Sequence, residues 1–295
     1  MKFITFQLDG TEYPGLLLGE QVAALPFRGM LEIVEGGAAA LEQVQEIARK
    51  PWETIPLEQV RLRAPLPRPG SLRDFYAFEQ HVRTASANRG RAVPAEWYQF
   101  PAFYFTNHRS IFGPDDTIPY PAYSTALDYE LEIACVIGRE GRDLDPEHAA
   151  GHIFGYTIFN DWSARDVQRA ELKVGLGPAK GKDFASSLGP WIVTPDELAP
   201  HAAGRPGVYN LRMQARVNGQ LRSYSNFNTI YYSFGELLAR ASTGAWLYPG
   251  DVIGSGTTGT GCLLELTRGE GPWLQPGDQV ELEIDGLGVL RNSVA

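Results

Sequence analysis

The sequence predicts a strand-rich α+β fold, and three observations lead to it. From Ser71 onward, short apolar runs alternate with turns rich in glycine and proline: Leu127–Ile137, Ile153–Phe159, Trp191–Val193, Leu211–Val217, Cys262–Leu266 and Val280–Ile284. Helical periodicity is confined to a few pieces, about Phe75–Ser86, Ser163–Glu171 and Phe234–Ala241. No sustained strand–helix–strand alternation appears, which argues against a parallel doubly wound sheet.

Lys2–Gln7 has strand character, Asp9-Gly10 is a turn signal, and a second short strand follows. Met30–Lys50 is helical, with Leu31, Ile33, Leu41, Val44 and Ile47 as its apolar positions and Gly36-Gly37 as an interruption. Pro51, Pro56, Pro65, Pro67 and Pro69 then suit an extended connector. The division expected is a small N-terminal α/β module at residues 1–65 and a larger unit at residues 66–295.

Composition removes several function classes. The 295 residues are 43% hydrophobic, enough for a full core. A net charge of -9 without a basic cluster argues against nucleic acid or an anionic membrane as partner. No apolar stretch is long enough to span a bilayer and no signal peptide is visible at Met1, so a soluble cytoplasmic protein is expected. Cys135 and Cys262 sit in apolar runs as small core residues and support neither a disulfide framework nor a four-thiolate zinc site.

Two glycine-rich segments imitate cofactor loops. Gly254-Ser255-Gly256-Thr257-Thr258-Gly259 has the spacing of a dinucleotide fingerprint, but Cys262–Leu266 beyond it reads as a strand, not as the helix a pyrophosphate needs. A loop whose backbone closely approaches a small ligand is the better reading. Gly175–Lys182 misses the phosphate-loop spacing, with Asp183 where Ser or Thr is required. No organic cofactor is expected.

The chemistry lies in acidic residues. In Leu127–Ile137, strand alternation places Tyr129, Leu131, Ile133, Cys135 and Ile137 on one face and Asp128, Glu130, Glu132, Ala134 and Val136 on the other. Adjacent carboxylates in a core strand repel and lose hydration, so a cation should lie between them unless that face is solvated. With Asp74 and Asp161 they read as an oxygen-only cradle for one divalent cation, and His81 lies near Asp74 in the chain. Asp161 begins Asn160-Asp161-Trp162-Ser163-Ala164-Arg165-Asp166-Val167-Gln168. There Ser163 and Asp166 could form a helix cap, while Arg165 and Gln168 share a helix face suited to a carboxylate or ketone oxygen.

Taken in order, Asp74-Phe75-Tyr76 with Gln80-His81, Tyr129-Glu130-Leu131-Glu132, the Asn160–Asp166 block, Gly177-Pro178 with Gly181-Lys182, and Gly254-Ser255-Gly256-Thr257 resemble the fumarylacetoacetate hydrolase family over roughly residues 70–290. The resemblance implies a mixed β-sandwich roll, a homodimer, and Mg²⁺ or Ca²⁺ (Mn²⁺ also fits) on Asp74, Glu130, Glu132 and Asp161. It makes His81 the general base and Glu265 its orienting acid. Lys182 and Arg165 compensate the cluster's charge, and Gln168 joins Lys182 in stabilising charge that develops on the substrate. Thr257 belongs to the substrate site, and Arg89 and Tyr104 fall near the family's substrate contacts, although their spacing is shifted. Leu172 replaces a tyrosine expected beyond Gln168, which leaves the particular substrate open. The reaction implied is hydrolysis of a carbon–carbon bond in a small anionic 1,3-dicarbonyl acid. Decarboxylation, hydration, dehydration or tautomerisation of a 2-oxo acid would use the same site. A non-catalytic keto-acid binder is disfavoured because every ligand and base position is filled.

Overall fold

The computed structural model describes residues 1–295. A meander of β1 (Lys2–Leu8), β2 (Thr11–Leu18) and β3 (Gln21–Ala24) leads into α1 (Met30–Arg49). The helix buries Met30, Ile33, Val34, Ala40, Val44 and Ile47, and the Gly36-Gly37 interruption is a kink at Gly37 (φ 54°, ψ -133°). Next come β4 (Leu72–Phe75), α2 (Glu79–Asn88), β5 (Phe103–Phe105), β6 (Leu131–Ile137), β7 (Ile153–Asp161), α3 (Arg165–Val174) and β8 (Ser186–Val193). The chain finishes through β9 (Arg212–Val217), β10 (Gln220–Asn226), α4 (Phe234–Ser242), β11 (Val252–Gly254), α5 (Leu263–Leu266), β12 (Gln279–Ile284) and β13 (Gly288–Val294).

These strands build two main sheets. The 12-stranded sheet runs Ile55–Pro56, β3, β2, β1, β8, β7, β6, β11, β4, β5, with Arg61–Arg63 beside β1 and Ile111–Phe112 beside β8. The five-stranded sheet runs β10, β9, β12, β13 and Thr117–Ile118. Most pairs are antiparallel, but β11 with β4 and β8 with Ile111–Phe112 are parallel, so the large sheet is mixed. β1 pairs with β8 (Lys2↔Val193, Phe3↔Ile192), which hydrogen-bonds the N-terminal meander onto the central strands.

Strand β6 shows why the layers stack as they do. Leu131, Ile133, Cys135 and Ile137 enter one core with Met213, Ala215, Leu282 and Leu290 of the second sheet. Ala134 and Val136 enter the other core with Ile33, Val34 and Val44 of α1. The alternation expected from the sequence is therefore the alternation between two cores, as a strand buried on both faces requires. No helix is long and apolar enough to cross a membrane.

Several boundaries differ from the sequence expectation, each for a long-range reason. Phe75–Ser86 is not one helix: Leu72–Phe75 is captured between β11 and β5, and the helix starts only at Glu79. Cys262–Leu266 is not a strand but contains a helical turn, because both oxygens of Asp128 accept the Leu263 and Leu264 N–H groups at 2.8 and 3.0 Å. A carboxylate remote in sequence thus serves the role of an N-terminal cap. Nor does Ser163 cap α3. Its hydroxyl donates to the Asp161 carbonyl, and Asp166 instead accepts from Ser124 and Thr125. The strand expected at Trp191–Val193 extends back to Ser186, where it meets Asp161 across β7.

Candidate active site

Three strands converge to bring four carboxylates together. Glu132 lies on β6 opposite Phe159, Asp161 ends β7, and Asp74 sits on β4 opposite Gly254 of β11. Glu130 precedes β6, where its N–H donates to Asn160 Oδ1 at 2.9 Å. One oxygen from each of Asp74, Glu130, Glu132 and Asp161 lies within 4.8 Å of the others, and all four side chains are buried. At that spacing and an effective dielectric of ~20, each ionised pair repels by roughly 3–4 kcal/mol. Six such pairs would outweigh the roughly 5–15 kcal/mol stability of a whole domain.

The chain offsets this repulsion only partly. Lys182 Nζ donates to Glu130 and, at 2.6 Å, to Asp161. Arg165 spans Asp128 and Glu130 at 2.8 Å each and donates to Gln168 Oε1 at 3.1 Å. Burial alone would raise the Glu130 carboxyl, but the charges of Lys182 and Arg165 overcome it and hold Glu130 below the usual range. On the far side of the cluster nothing cationic answers. Burial, then the neighbouring Asp161, pushes Asp74 up to about 8. Burial, then Asp74 and Glu130, pushes Glu132 well above the ordinary value. Asp161 Oδ1 is buried with no hydrogen-bond partner. Carboxyls pushed up by burial and by one another, with an orphaned oxygen among them, fit the donor set of a hard divalent cation.

The glycine loop after β11 closes the cluster's far side. The Gly256 N–H donates to both Asp74 Oδ1 and Glu132 Oε2 at 3.1 Å, and Thr257 Oγ1 donates to Glu132 Oε1 at 3.3 Å. Gly256 has φ +80°, and a Cβ there would lie 2.4 Å from the Phe75 carbonyl. Gly256→Ala is expected to destabilise the protein by roughly 1–3 kcal/mol or more from the backbone conformation alone. A urea midpoint within error of the parent's would contradict this packing.

Beside the cluster, His81 on the first turn of α2 meets Glu265 of α5. Nδ1 of His81 and Oε1 of Glu265 share a short hydrogen bond, and both residues are buried. The Thr260 N–H steadies the other Glu265 oxygen at 3.1 Å, and the Tyr76 ring stands edge-on to the imidazole at 5.2 Å. Both faces of the dyad are thereby fixed, and His81 Nε2 is the nitrogen left for chemistry. A cavity of about 500 Å³ joins dyad and cluster, lined among others by Asp74, His81, Glu130, Lys182 and Thr257. Exposed Arg89, Arg169 and Arg268 line the same cavity, and none is in an ion pair with a protein carboxylate. The turn after α3 is fixed from within: the N–H groups of Ala179, Lys180 and Gly181 donate to the Glu171 carboxylate at 3.1, 2.6 and 3.2 Å.

Every residue singled out from the sequence therefore falls at this one place. Asp74, Glu130, Glu132 and Asp161 form the cluster, and Tyr104, whose hydroxyl donates to Asp161, borders it. Gln168 and Arg89 line the cavity, with Arg89 Nε donating to the Ala85 carbonyl at 2.8 Å. Sequence reasoning missed Asp128, which anchors both Arg165 and α5, and Asn160, which positions Glu130. Asp128 did carry a signal, as a third acid on the polar face of its strand, but its partners lie far along the chain. Arg169 and Arg268 carried none.

The family model described as fumarylacetoacetate (FAA) hydrolase C-terminal matches residues 71–295. The chain belongs to the fumarylacetoacetate hydrolase family. Its strand-rich mixed fold is that of solved structures of the family. The fumarylacetoacetase of Arabidopsis thaliana is 34% identical over 246 residues, 67% of this chain and 58% of its own length, so the chain spans less than two thirds of that relative. The mitochondrial oxaloacetate tautomerase FAHD2B of Bos taurus is 34% identical over 272 residues, 90% of this chain and 79% of its own. The structure of maleylpyruvate hydrolase from Sphingobium sp. SYK-6, in complex with manganese (II) ion and pyruvate, superposes with a TM-score of 0.75 at 25% identity, covering 100% of this chain and 99% of that one. Fumarylacetoacetate hydrolase family members thus include hydrolases and tautomerases of small acids.

Proposed function

We propose that this family member hydrolyses a carbon–carbon bond in a 1,3-dicarbonyl acid, with Mg²⁺, Ca²⁺ or Mn²⁺ held by Asp74, Glu130, Glu132 and Asp161. The observation that carries the reading is the His81–Glu265 pair facing the cavity beside the carboxylate cluster. A dyad of this kind serves activation of water, because the carboxylate fixes the tautomer and stabilises the imidazolium. When bound, the cation supplies Lewis-acid polarisation of the dicarbonyl. His81 Nε2 takes a proton from water, whose oxygen adds to the carbonyl farther from the substrate's carboxylate. The bond between that carbonyl carbon and the neighbouring methylene then breaks. Its electron pair passes to the methylene carbon, which is protonated, leaving a carboxylic acid and a 2-oxo acid. Lys182 and Gln168 stabilise the negative charge that builds on oxygen. Arg89, Arg169 and Arg268 provide cationic partners for a carboxylate at the mouth.

A second reading is favoured by one observation, the 34% identity to an oxaloacetate tautomerase over 90% of this chain. Tautomerisation moves a proton between carbon and oxygen and needs no attack by water. The two readings part at Glu265. In the hydrolase, Glu265→Gln should lower kcat about 10- to 100-fold, less than the roughly 10²–10⁴-fold that the base itself contributes, with metal affinity unchanged. Combined with His81→Ala it should add little, since two residues acting as a unit are non-additive. A screen of acylpyruvates, fumarylacetoacetate and oxaloacetate on parent and variant decides between them. Oxaloacetate tautomerisation without any hydrolysis, unaffected by Glu265→Gln, would overturn the hydrolase.

A further inference from the structure

Behind the dyad lies a second group of donors, different in kind from the carboxylate cluster. A ring nitrogen of His81, Cys262 Sγ and a Glu265 carboxylate oxygen lie within 4.8 Å of one another, and all three residues are buried. The Cys262 Sγ is 3.9 Å from Glu265 Oε1, and Cys262 is fully inaccessible. Cys262 has no part in the chemistry derived above. We propose that His81, Cys262 and Glu265 form an inhibitory site for a borderline-soft cation such as Zn²⁺, separate from the all-oxygen cradle.

The distances suit the ion. Tetrahedral zinc with its usual bond lengths holds nitrogen, sulfur and oxygen ligands roughly 3.4–3.6 Å apart. The sulfur–oxygen separation needs only to close slightly, and the imidazole must swing about 1 Å from the carboxylate to admit the ion. On binding, the Cys262 thiol proton leaves to solvent and the His81 proton moves from Nδ1 to Nε2, so that sulfur, nitrogen and carboxylate each present a lone pair while the imidazole stays neutral. Thiolate and imidazole select zinc over Mg²⁺ or Ca²⁺, whereas four carboxylates select the reverse. The chain therefore keeps two adjacent sites of opposite preference. His81 lines the cavity, so the ion arrives from the substrate side. Zinc taken up here removes Glu265 from the imidazole and turns the ring away from water. The inhibition, though not the binding, rests on the dyad's role proposed above.

The test uses the full chain saturated with Mg²⁺ and titrated with Co²⁺ as a spectroscopic substitute for zinc, then with Zn²⁺ in an activity assay. One Co²⁺ should bind with a thiolate-to-cobalt charge-transfer band in the near ultraviolet, and Zn²⁺ should displace it. Cys262→Ser should abolish the band and weaken zinc affinity by at least the roughly 10–100-fold that loss of even an outer partner costs a metal site. Cys135→Ser should leave the band intact. Zinc inhibition of the parent should resist excess Mg²⁺. The proposal is overturned if no band appears, if the band survives Cys262→Ser, or if Mg²⁺ relieves zinc inhibition in the parent. Should Cys262→Ser fail to fold, Cys262→Ala carries the same readout. Because the band reports binding without turnover, its presence alongside absent hydrolysis would fault the assigned reaction and leave the site standing.

Discussion

Replacing His81 by alanine is expected to lower kcat for a hydrolysed dicarbonyl acid by about 10²–10⁴-fold, the usual worth of general-base catalysis. The structure makes this a sharp experiment, because His81 is held by Glu265, not by the carboxylate cluster. Divalent-metal affinity measured by calorimetry should therefore survive. The loss should fall on kcat with little change in KM, since the imidazole matters most when it has taken the proton. Cleavage at the parent's rate would remove His81 as base and shift the assignment toward chemistry that needs only the cation and a polarised carbonyl.

Chelation is the second large effect. Stripping the divalent cation should abolish turnover and lower the melting temperature, because no side-chain cation pairs with Asp74 or Glu132 and Asp161 Oδ1 has no hydrogen-bond partner. The pH dependence has a definite sign. Asp74 has a raised value in the folded, metal-free protein, about 8, so its stabilising contribution is present at low pH and fades as pH climbs toward and through 8. A bound cation replaces the retained protons. The loss of melting temperature on chelation should thus be larger at pH 8.5 than at pH 6, because the contribution falls away between the ordinary carboxylate range and about 8 and is gone above it. Metal binding should release protons, seen as a binding heat that varies with the buffer's heat of ionisation. Full activity in exhaustively chelated protein, or a chelation effect that shrinks with rising pH, would contradict this account.

How much of this was legible follows from the range of the interactions. Glu130 and Glu132 were readable because strand alternation is local and their buried face demanded a counter-charge. The helix at α1 and its kink were readable because apolar spacing and paired glycines act within a few residues. The start of α2 was not, since Asp74 and Phe75 are held extended by β11 and β5 from distant parts of the chain. The same holds for α5: an apolar run with strand composition turns helical because Asp128, far upstream, takes its first amides. Both errors fell on segments that carry site residues. Tertiary contacts there override local preference, and they do so in order to place Asp74 and Glu265.

The turn after α3 has the outline of an anion receptor, with successive amides of Ala179, Lys180 and Gly181 aimed at one point. The chain fills that receptor itself. Burial would raise Glu171, yet those amides hold it below its usual range, so at neutral pH it is the anion they bind. A carboxylate tethered 8 to 10 residues from the amides it fills stays at hand whenever they open, so a free phosphate has to displace a ligand that cannot diffuse away. The turn therefore has no vacancy for a phosphorylated substrate, and its selectivity is spent inward. What it delivers is Lys182, the residue directly after the clasped amides, carried at a fixed position into the carboxylate cluster.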